Sequence, residues 1–292
     1  MSLPTIKCCC RLIACLWCLV GGGLLMGAQP NMTNSWLVPG GARQLRIPVR
    51  VLLAGDSLMA SLGPQMRATL RGYGNLTCIP IGKGSTGLAR PDFYDWPRVL
   101  KEHLVKDKPH VVVMWIGTND SQDIYGMPNL GGLFSRDWQI AYLGKIREII
   151  QLVRQHRARL IIMGPPVVGG ERLNGNLKII NKLMAWTCQK SGVCYVNTRI
   201  ILADSRGEFR MQGALRNGQM AVLRTPDQIH ITADGNRKVM EYLLPCLAVE
   251  IQRAFSGSAP PPTPASSSAP RRGGAGISGG SGARPASTDV RR

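Results

Sequence analysis

Between Arg46 and Phe255, short apolar runs alternate with longer amphipathic stretches. The runs Val49–Ala54, Leu76–Ile81, Val111–Ile116, Leu160–Gly164 and Val193–Asn197 are largely apolar without a period of two. A strand of that kind is covered on both faces, which is the mark of a mostly parallel sheet between helical layers. Helical spacing falls on Pro64–Tyr73, Trp96–Val105, Asp137–His156, Asn174–Lys190 and Ala233–Ala254. The alternation predicts a three-layer α/β/α sandwich around a five-stranded sheet, with functional groups collecting at the carboxyl ends of the strands. A polar stretch between Arg199 and Pro226 carries Gly207, Gly213 and Gly218 and the alternating residues Met220-Ala221-Val222-Leu223-Arg224. It predicts a short hairpin or flap. No internal repeat is evident.

The ends of the 292-residue chain do not share this pattern. Lys7 and Arg11 precede an apolar run from Leu12 to Met26, too short for a comfortable membrane span. Residues 1–28 therefore read as a signal peptide or, if uncut, as an N-terminal anchor. Residues 29–45 read as a linker and 46–255 as the folded domain. Residues 256–292 are rich in Pro, Ser, Gly and Arg and are expected to form a disordered tail, having too little apolar surface to offset the entropy of ordering. An exported or membrane-anchored protein facing the periplasm is the compartment this layout implies.

Export changes the reading of the cysteines. Of nine, only Cys78, Cys188, Cys194 and Cys246 lie in the expected domain, and disulfides are in keeping with an oxidising compartment. Cys188 and Cys194 are spaced to clip a helix end to the next strand, a link that would contribute about 2–3 kcal/mol on a chain-entropy argument. No CxxC or Cys/His spacing points to a metal, and no cofactor is called for. The formal net charge of +19 belongs mostly to the domain, because the tail adds five Arg against one Asp. Such a surface favours anionic partners, envelope polymers or lipid headgroups among them. No basic run interleaved with aromatics or other nucleic-acid motif appears, so nucleic acid is set aside.

The candidate chemistry sits after the strand-like runs. Ser57, in Gly55-Asp56-Ser57, occupies a strand-to-helix turn, where a serine is often just a cap. Gly117-Thr118-Asn119-Asp120 places Asn119 after the third run; asparagine there is commonly a turn former, but its amide is also a donor that can face a developing oxyanion. The loop Gly82-Lys83-Gly84-Ser85-Thr86-Gly87 lacks the spacing of a phosphate loop and offers bare backbone N–H groups instead. Asp227 and His230 are three apart just before the last helix, so the carboxylate can reach the imidazole. His103, His110 and His156 each have an ordinary surface explanation.

The ordered set resembles the SGNH, or GDSL-type, hydrolase superfamily over about Arg46 to Phe255. Gly55-Asp56-Ser57-Leu58 is similar to the first block, Ser85-Thr86-Gly87 to the second, Gly117-Thr118-Asn119-Asp120 to the third and Asp227-Gln228-Ile229-His230 to the last. The second block lacks an Asn or Asp ahead of its glycine. The resemblance implies the flavodoxin-like form of the sandwich, a catalytic Ser57 with His230 and Asp227, and an oxyanion hole of Ser57, Gly87 and Asn119, with Gly84 as the alternative glycine. The run from Gly87 to Pro97 further resembles an exported bacterial subfamily without an assigned substrate.

The activity implied by the resemblance is that of an ester hydrolase or acyltransferase, acting through an acyl-serine on an acylated, chiefly acetylated, envelope polysaccharide. Arg90, Asp92, Tyr94 and Trp96, just past the oxyanion glycine, are candidate substrate contacts, although Phe93 and Trp96 also suit a core role. Arg224 is a candidate contact for an anionic group or a surface ion pair. Two other readings stand beside this one. One is a lysophospholipase or thioesterase acting on lipids; the other is a glycan-binding module without turnover, assembled with an envelope or membrane protein.

Overall fold

The computed structural model of the chain describes residues 45–256 apart from Pro128. The expected leader, most of the linker and nearly all of the tail lie outside the described residues. Five strands, β1 (Leu45–Gly55), β2 (Gly74–Gly82), β3 (Val111–Trp115), β4 (Arg159–Met163) and β5 (Cys194–Val196), form one sheet in the order β2-β1-β3-β4-β5. Every neighbouring pair in it is parallel.

Both faces of the sheet are covered, as the continuous apolar runs require. On one face Val51, Leu53, Val113, Trp115, Ile161 and Met163 pack against α1 (Ser57–Leu70) and a long C-terminal helix over Ala233–Phe255. The alternate residues Leu52, Ala54, Val112, Met114, Leu160 and Ile162 meet α2 (Trp96–Lys106), α3 (Arg136–Gln155) and α4 (Glu171–Ser191). A short α5 (Thr198–Leu202) follows β5, and the C-terminal helix is α6. The expected hairpin is present as β6 (Gln212–Ala214) paired antiparallel with β7 (Met220–Val222).

The first helix begins well ahead of its sequence pattern. Pro64 reads as a helix start, yet it lies inside α1. An interior proline costs about 3 kcal/mol through its missing N–H and its clash with the preceding turn. Leu58, Met59, Leu62, Met66 and Leu70 are all buried, and burial of such side chains contributes about 1.5–3 kcal/mol each. The packing outweighs the proline, and the Ala60 carbonyl that loses its helical partner is on an exposed residue.

The cysteine expectation is corrected. Cys188 is free and buried in the layer of α2, α3 and α4. Cys194 is also free and packs, with Cys246 of α6, against the opposite layer. The turn between them carries Gly192 in a left-handed conformation and sends the two side chains to different faces of the sheet.

Chain order places the site. The path runs from β1 to the edge strand β2 and returns past β1 to β3, so the crossovers diverge between β1 and β3. The carboxyl ends of strands at such a divergence open a crevice. Gly55 stands in register with Gly82 on one side and Trp115 on the other, so the three loops beyond these strands emerge at one level.

Candidate active site

Ser57 is the first residue of α1, directly after β1. The turn into the helix needs Gly55: its φ is 145°, and a Cβ there would stand 1.9 Å from the Trp115 carbonyl oxygen. Asp56 caps the helix by accepting from the Leu58 N–H at 2.9 Å, and its other oxygen accepts from the Thr118 N–H at 3.3 Å. The first-turn N–H groups of a helix have no intrahelical acceptor and carry its positive end. Ser57 therefore stands where negative charge is favoured.

From the other end of the chain, the turn before α6 brings His230 to Ser57. The His230 Nε2 to Ser57 Oγ separation is 2.9 Å, and His230 Nδ1 lies 2.6 Å from Asp227 Oδ2. The second oxygen, Asp227 Oδ1, accepts from the Thr225 hydroxyl at 2.6 Å and from the Ile229 and His230 N–H groups at 2.9 and 3.0 Å. These bonds, the one to His230 foremost, hold the Asp227 carboxyl well below the usual carboxylate range. The site is open: the His230 and Asp227 side chains are 42% and 47% exposed. A hydroxyl, an imidazole and a carboxylate joined in this order can pass the hydroxyl proton to Nε2 while the carboxylate fixes the tautomer.

Asn119 follows β3 and donates from Nδ2 to the Thr86 carbonyl at 2.9 Å. That bond uses one of its two amide N–H groups and ties the loop after β3 to the loop after β2. Gly87, the expected oxyanion glycine, packs against Asp120 in the loop after β3. It is buried, and a Cβ on it would meet Asp120 Oδ1 at 2.0 Å. In a trans peptide the N–H points opposite to the C=O, so the Thr86 carbonyl that faces Asn119 turns the Gly87 N–H away. Gly84 is exposed, and its added Cβ would lie 4.0 Å from Ser57 Cβ. The alternative glycine is the one beside the serine.

Behind the three loops lies a buried acidic pair. Asp120 accepts from the Ala89 N–H at 2.9 Å and the Tyr142 hydroxyl at 2.7 Å. Burial pushes its carboxyl up, and burial together with the nearby Asp120 raises Asp56 to about 7. Folded Asp56 therefore keeps its proton to about pH 7, while an unfolded aspartate releases it near 3.9. Between those values the folded state binds more protons, so Asp56 makes stability fall as pH rises, by at most about 4 kcal/mol. Asp56→Asn has no proton to lose. Its melting temperature relative to the wild type is expected to climb from pH 5 and level off above about pH 7, and a constant gap across that range would show that Asp56 is charged throughout.

The remaining candidates divide. Arg90 and Asp92 form an exposed ion pair at 2.7 Å on the loop beyond Gly87. Trp96 is fully buried, with Nε1 donating to Thr86 Oγ1 at 3.1 Å, and belongs to the core. Tyr94 meets it edge-on at 4.9 Å and lines a cavity of about 140 Å³ that borders Gly87, Lys145 and Glu148 rather than Ser57. Arg224 is 1% exposed and donates inward to the Val167 carbonyl. Exposed aromatics missed in the sequence are Phe93, at 57%, as a surface group rather than a core anchor, and Tyr125, at 58%. Among the described residues no three His, Cys, Asp or Glu side chains group as a metal site.

The fold is shared with solved structures of low identity. A Bacteroides fragilis protein provisionally described as an acylhydrolase is 15% identical with a TM-score of 0.51, over 77% of this chain and 98% of its own. A variant acetyl xylan esterase from Geobacillus stearothermophilus is 14% identical with a TM-score of 0.50, over 68% and 95%. A GDSL-like lipase from Bacteroides thetaiotaomicron is 17% identical with a TM-score of 0.49, over 71% and 93%. The expected three-layer sandwich around a five-stranded parallel sheet is thus the fold observed. No curated protein matches the sequence. Residues 50–246 match the model of a family described as a protein of unknown function, DUF459, and with two thirds of its length inside that match the chain belongs to this family.

Proposed function

We propose that the protein is a serine esterase or acyltransferase of SGNH type that removes or transfers an acyl group, chiefly acetyl, on an envelope polysaccharide. The observation that carries this reading is the unbroken hydrogen-bonded chain Ser57–His230–Asp227 at the carboxyl ends of a parallel sheet. His230 Nε2 takes the Ser57 proton as Oγ attacks the acyl carbonyl. The oxyanion meets the Ser57 N–H, the Gly84 N–H and the Asn119 amide N–H that Thr86 does not use. Protonated His230 gives its proton to the leaving sugar oxygen, and water or an acceptor hydroxyl then releases the acyl group from serine. A glycan-binding module has no need of this whole chain. Export rests on the N-terminal sequence pattern, with Lys7 and Arg11 ahead of the apolar run.

The polysaccharide part rests on the open site and on the rim formed by the loops after β2 and β3. The Tyr125 N–H donates to the Ala89 carbonyl at 2.9 Å, and Tyr125 interacts with Arg90, whose partner is Asp92. Exposed aromatic faces beside a hydrogen-bonding ion pair suit sugar rings. Tyr125→Ala is expected to weaken an O-acetylated polysaccharide by about 2–10-fold in KM, the worth of one aromatic contact, and to leave a small acetyl ester unaffected. Acetate release and acetyl transfer, followed side by side, separate hydrolysis from transfer. The lipid reading is favoured by Met220 and Val222, exposed on the outer face of β7; a preference for long-chain lysolipids over the acetylated glycan would replace the proposal with it.

A further inference from the structure

We infer that Arg224 is a positioning residue: a buried latch that holds the turn carrying His230 in its working conformation. The inference rests on the esterase reading for what the turn does, but not for the latch itself. Arg224 precedes the Asp227–His230 turn and pairs as an isolated antiparallel bridge with Ile231, on its far side. Within the turn the Thr225 N–H donates to the His230 carbonyl at 3.1 Å. Gln228, midway between Asp227 and His230, has a φ of 62°, a left-handed conformation that side chains other than Gly, Asn and Asp seldom adopt. This twist lets Asp227 Oδ1 collect the Ile229 and His230 N–H groups.

The twist is held from outside through the Gln228 carbonyl. It accepts from the Gly169 N–H at 3.1 Å and from Arg224 Nη2 at 3.5 Å. The same Nη2 donates to the Val167 carbonyl in the loop after β4. One guanidinium thus fastens the turn to the neighbouring loop, with its Cζ 5.4 Å from the Phe209 ring centroid.

Stability alone does not account for this residue. Arg224 Nε and Nη1 are buried with no partner among the described residues, and burial lowers its pKa to about 10, which leaves it charged at neutral pH. A buried charge with orphaned donors is a poor stabiliser, and an apolar side chain of similar length is often neutral or better. What an apolar side chain cannot supply is a donor shared between the Val167 and Gln228 carbonyls.

Arg224→Met in the full chain is therefore expected to melt at or above the wild-type temperature. Its kcat for a short-chain ester falls about 10–100-fold, with KM within about three-fold. Gln228→Gly, which adopts the twist without strain, is expected to restore at least about five-fold of kcat in the Arg224→Met background. The nitrogen NMR shifts of His230, which report its tautomer, should move in Arg224→Met and return in the double variant. Should Arg224→Met not fold, Arg224→Lys, too short to span both carbonyls, carries the same comparison. Wild-type kcat in the single variant, or a loss that tracks a lower melting temperature and is not recovered by Gln228→Gly, would overturn the latch. A wild type without ester turnover would sink the esterase reading, and the NMR comparison would then decide the latch alone.

Discussion

Ser57→Ala is expected to lower kcat/KM for a short-chain acyl ester by at least about 10³-fold, the loss typical of removing a nucleophile whose base is intact. The geometry limits the damage to chemistry. The cap of α1 is Asp56, through its bond to the Leu58 N–H, so alanine at the next position removes no helix-stabilising contact. Alanine is also the best helix former. Melting should therefore stay within about 2 °C of the wild type, consistent with a surface change of under about 0.5 kcal/mol. The oxyanion donors remain, so a residual rate above the uncatalysed one is expected. Serine-directed covalent labelling should disappear with turnover. Equal ester turnover in the two proteins would end the esterase account and leave a module that binds without reacting.

The layers were legible because their physics is local and repetitive. A run such as Val111–Ile116 has no polar face to give to water, so it must be an inner parallel strand, and β3 is fully buried. The same holds for Leu52 and Leu53 of β1, which go to opposite layers. Ser57, Asp227 and His230, which the structure joins by hydrogen bonds, were legible because each follows or precedes such an element at a fixed offset. What sequence could not show was the direction in which a loop faces. Gly84 and Gly87 are chemically alike in sequence; only the buried Asp120 and the Thr86 carbonyl distinguish them. Trp96 offered a sugar platform until its indole N–H was found on Thr86. Arg224 carried the signature of a surface cation, and nothing short of the fold reveals that two backbone carbonyls lie beneath it.

The proposed catalytic groups meet because two very different supports converge. Ser57 is fixed by the sheet, through Gly55 against Trp115 and Asp56 against Thr118. His230 stands on a turn of a few residues that is half in solvent and held by side-chain bonds. Errors in the nucleophile would require moving β1. Errors in the base require only the loss of the turn, which makes the base side the place where substitutions are expected to reduce rate without unfolding the protein.

His230→Ala is accordingly expected to cost as much as Ser57→Ala, at least about 10³-fold, and the double variant no more than either single one. The two groups act as a unit: without the imidazole at 2.9 Å, Ser57 is an ordinary alcohol, and without the hydroxyl the imidazole has nothing to deprotonate. Losses that multiplied in the double variant would mean that the two act independently, and the proton transfer from Oγ to Nε2 would be wrong. Asp227→Asn should fall short of both. In a buried triad the same change costs about 10⁴-fold by imposing the wrong tautomer. Here the Asp227 side chain is 47% exposed, so water can stand in for part of the carboxylate, and about 10²–10³-fold is expected. Its bond to His230 keeps Asp227 below the usual range. A depressed carboxyl stabilises above its unfolded pKa and loses that contribution only as pH falls through its folded value. Asp227 therefore stays ionised throughout pH 5–9, and any loss of turnover on mild acidification must arise elsewhere than in its carboxylate. Asp227→Asn as costly as His230→Ala would place the carboxylate in a drier setting than its exposure allows, such as one closed over by bound substrate.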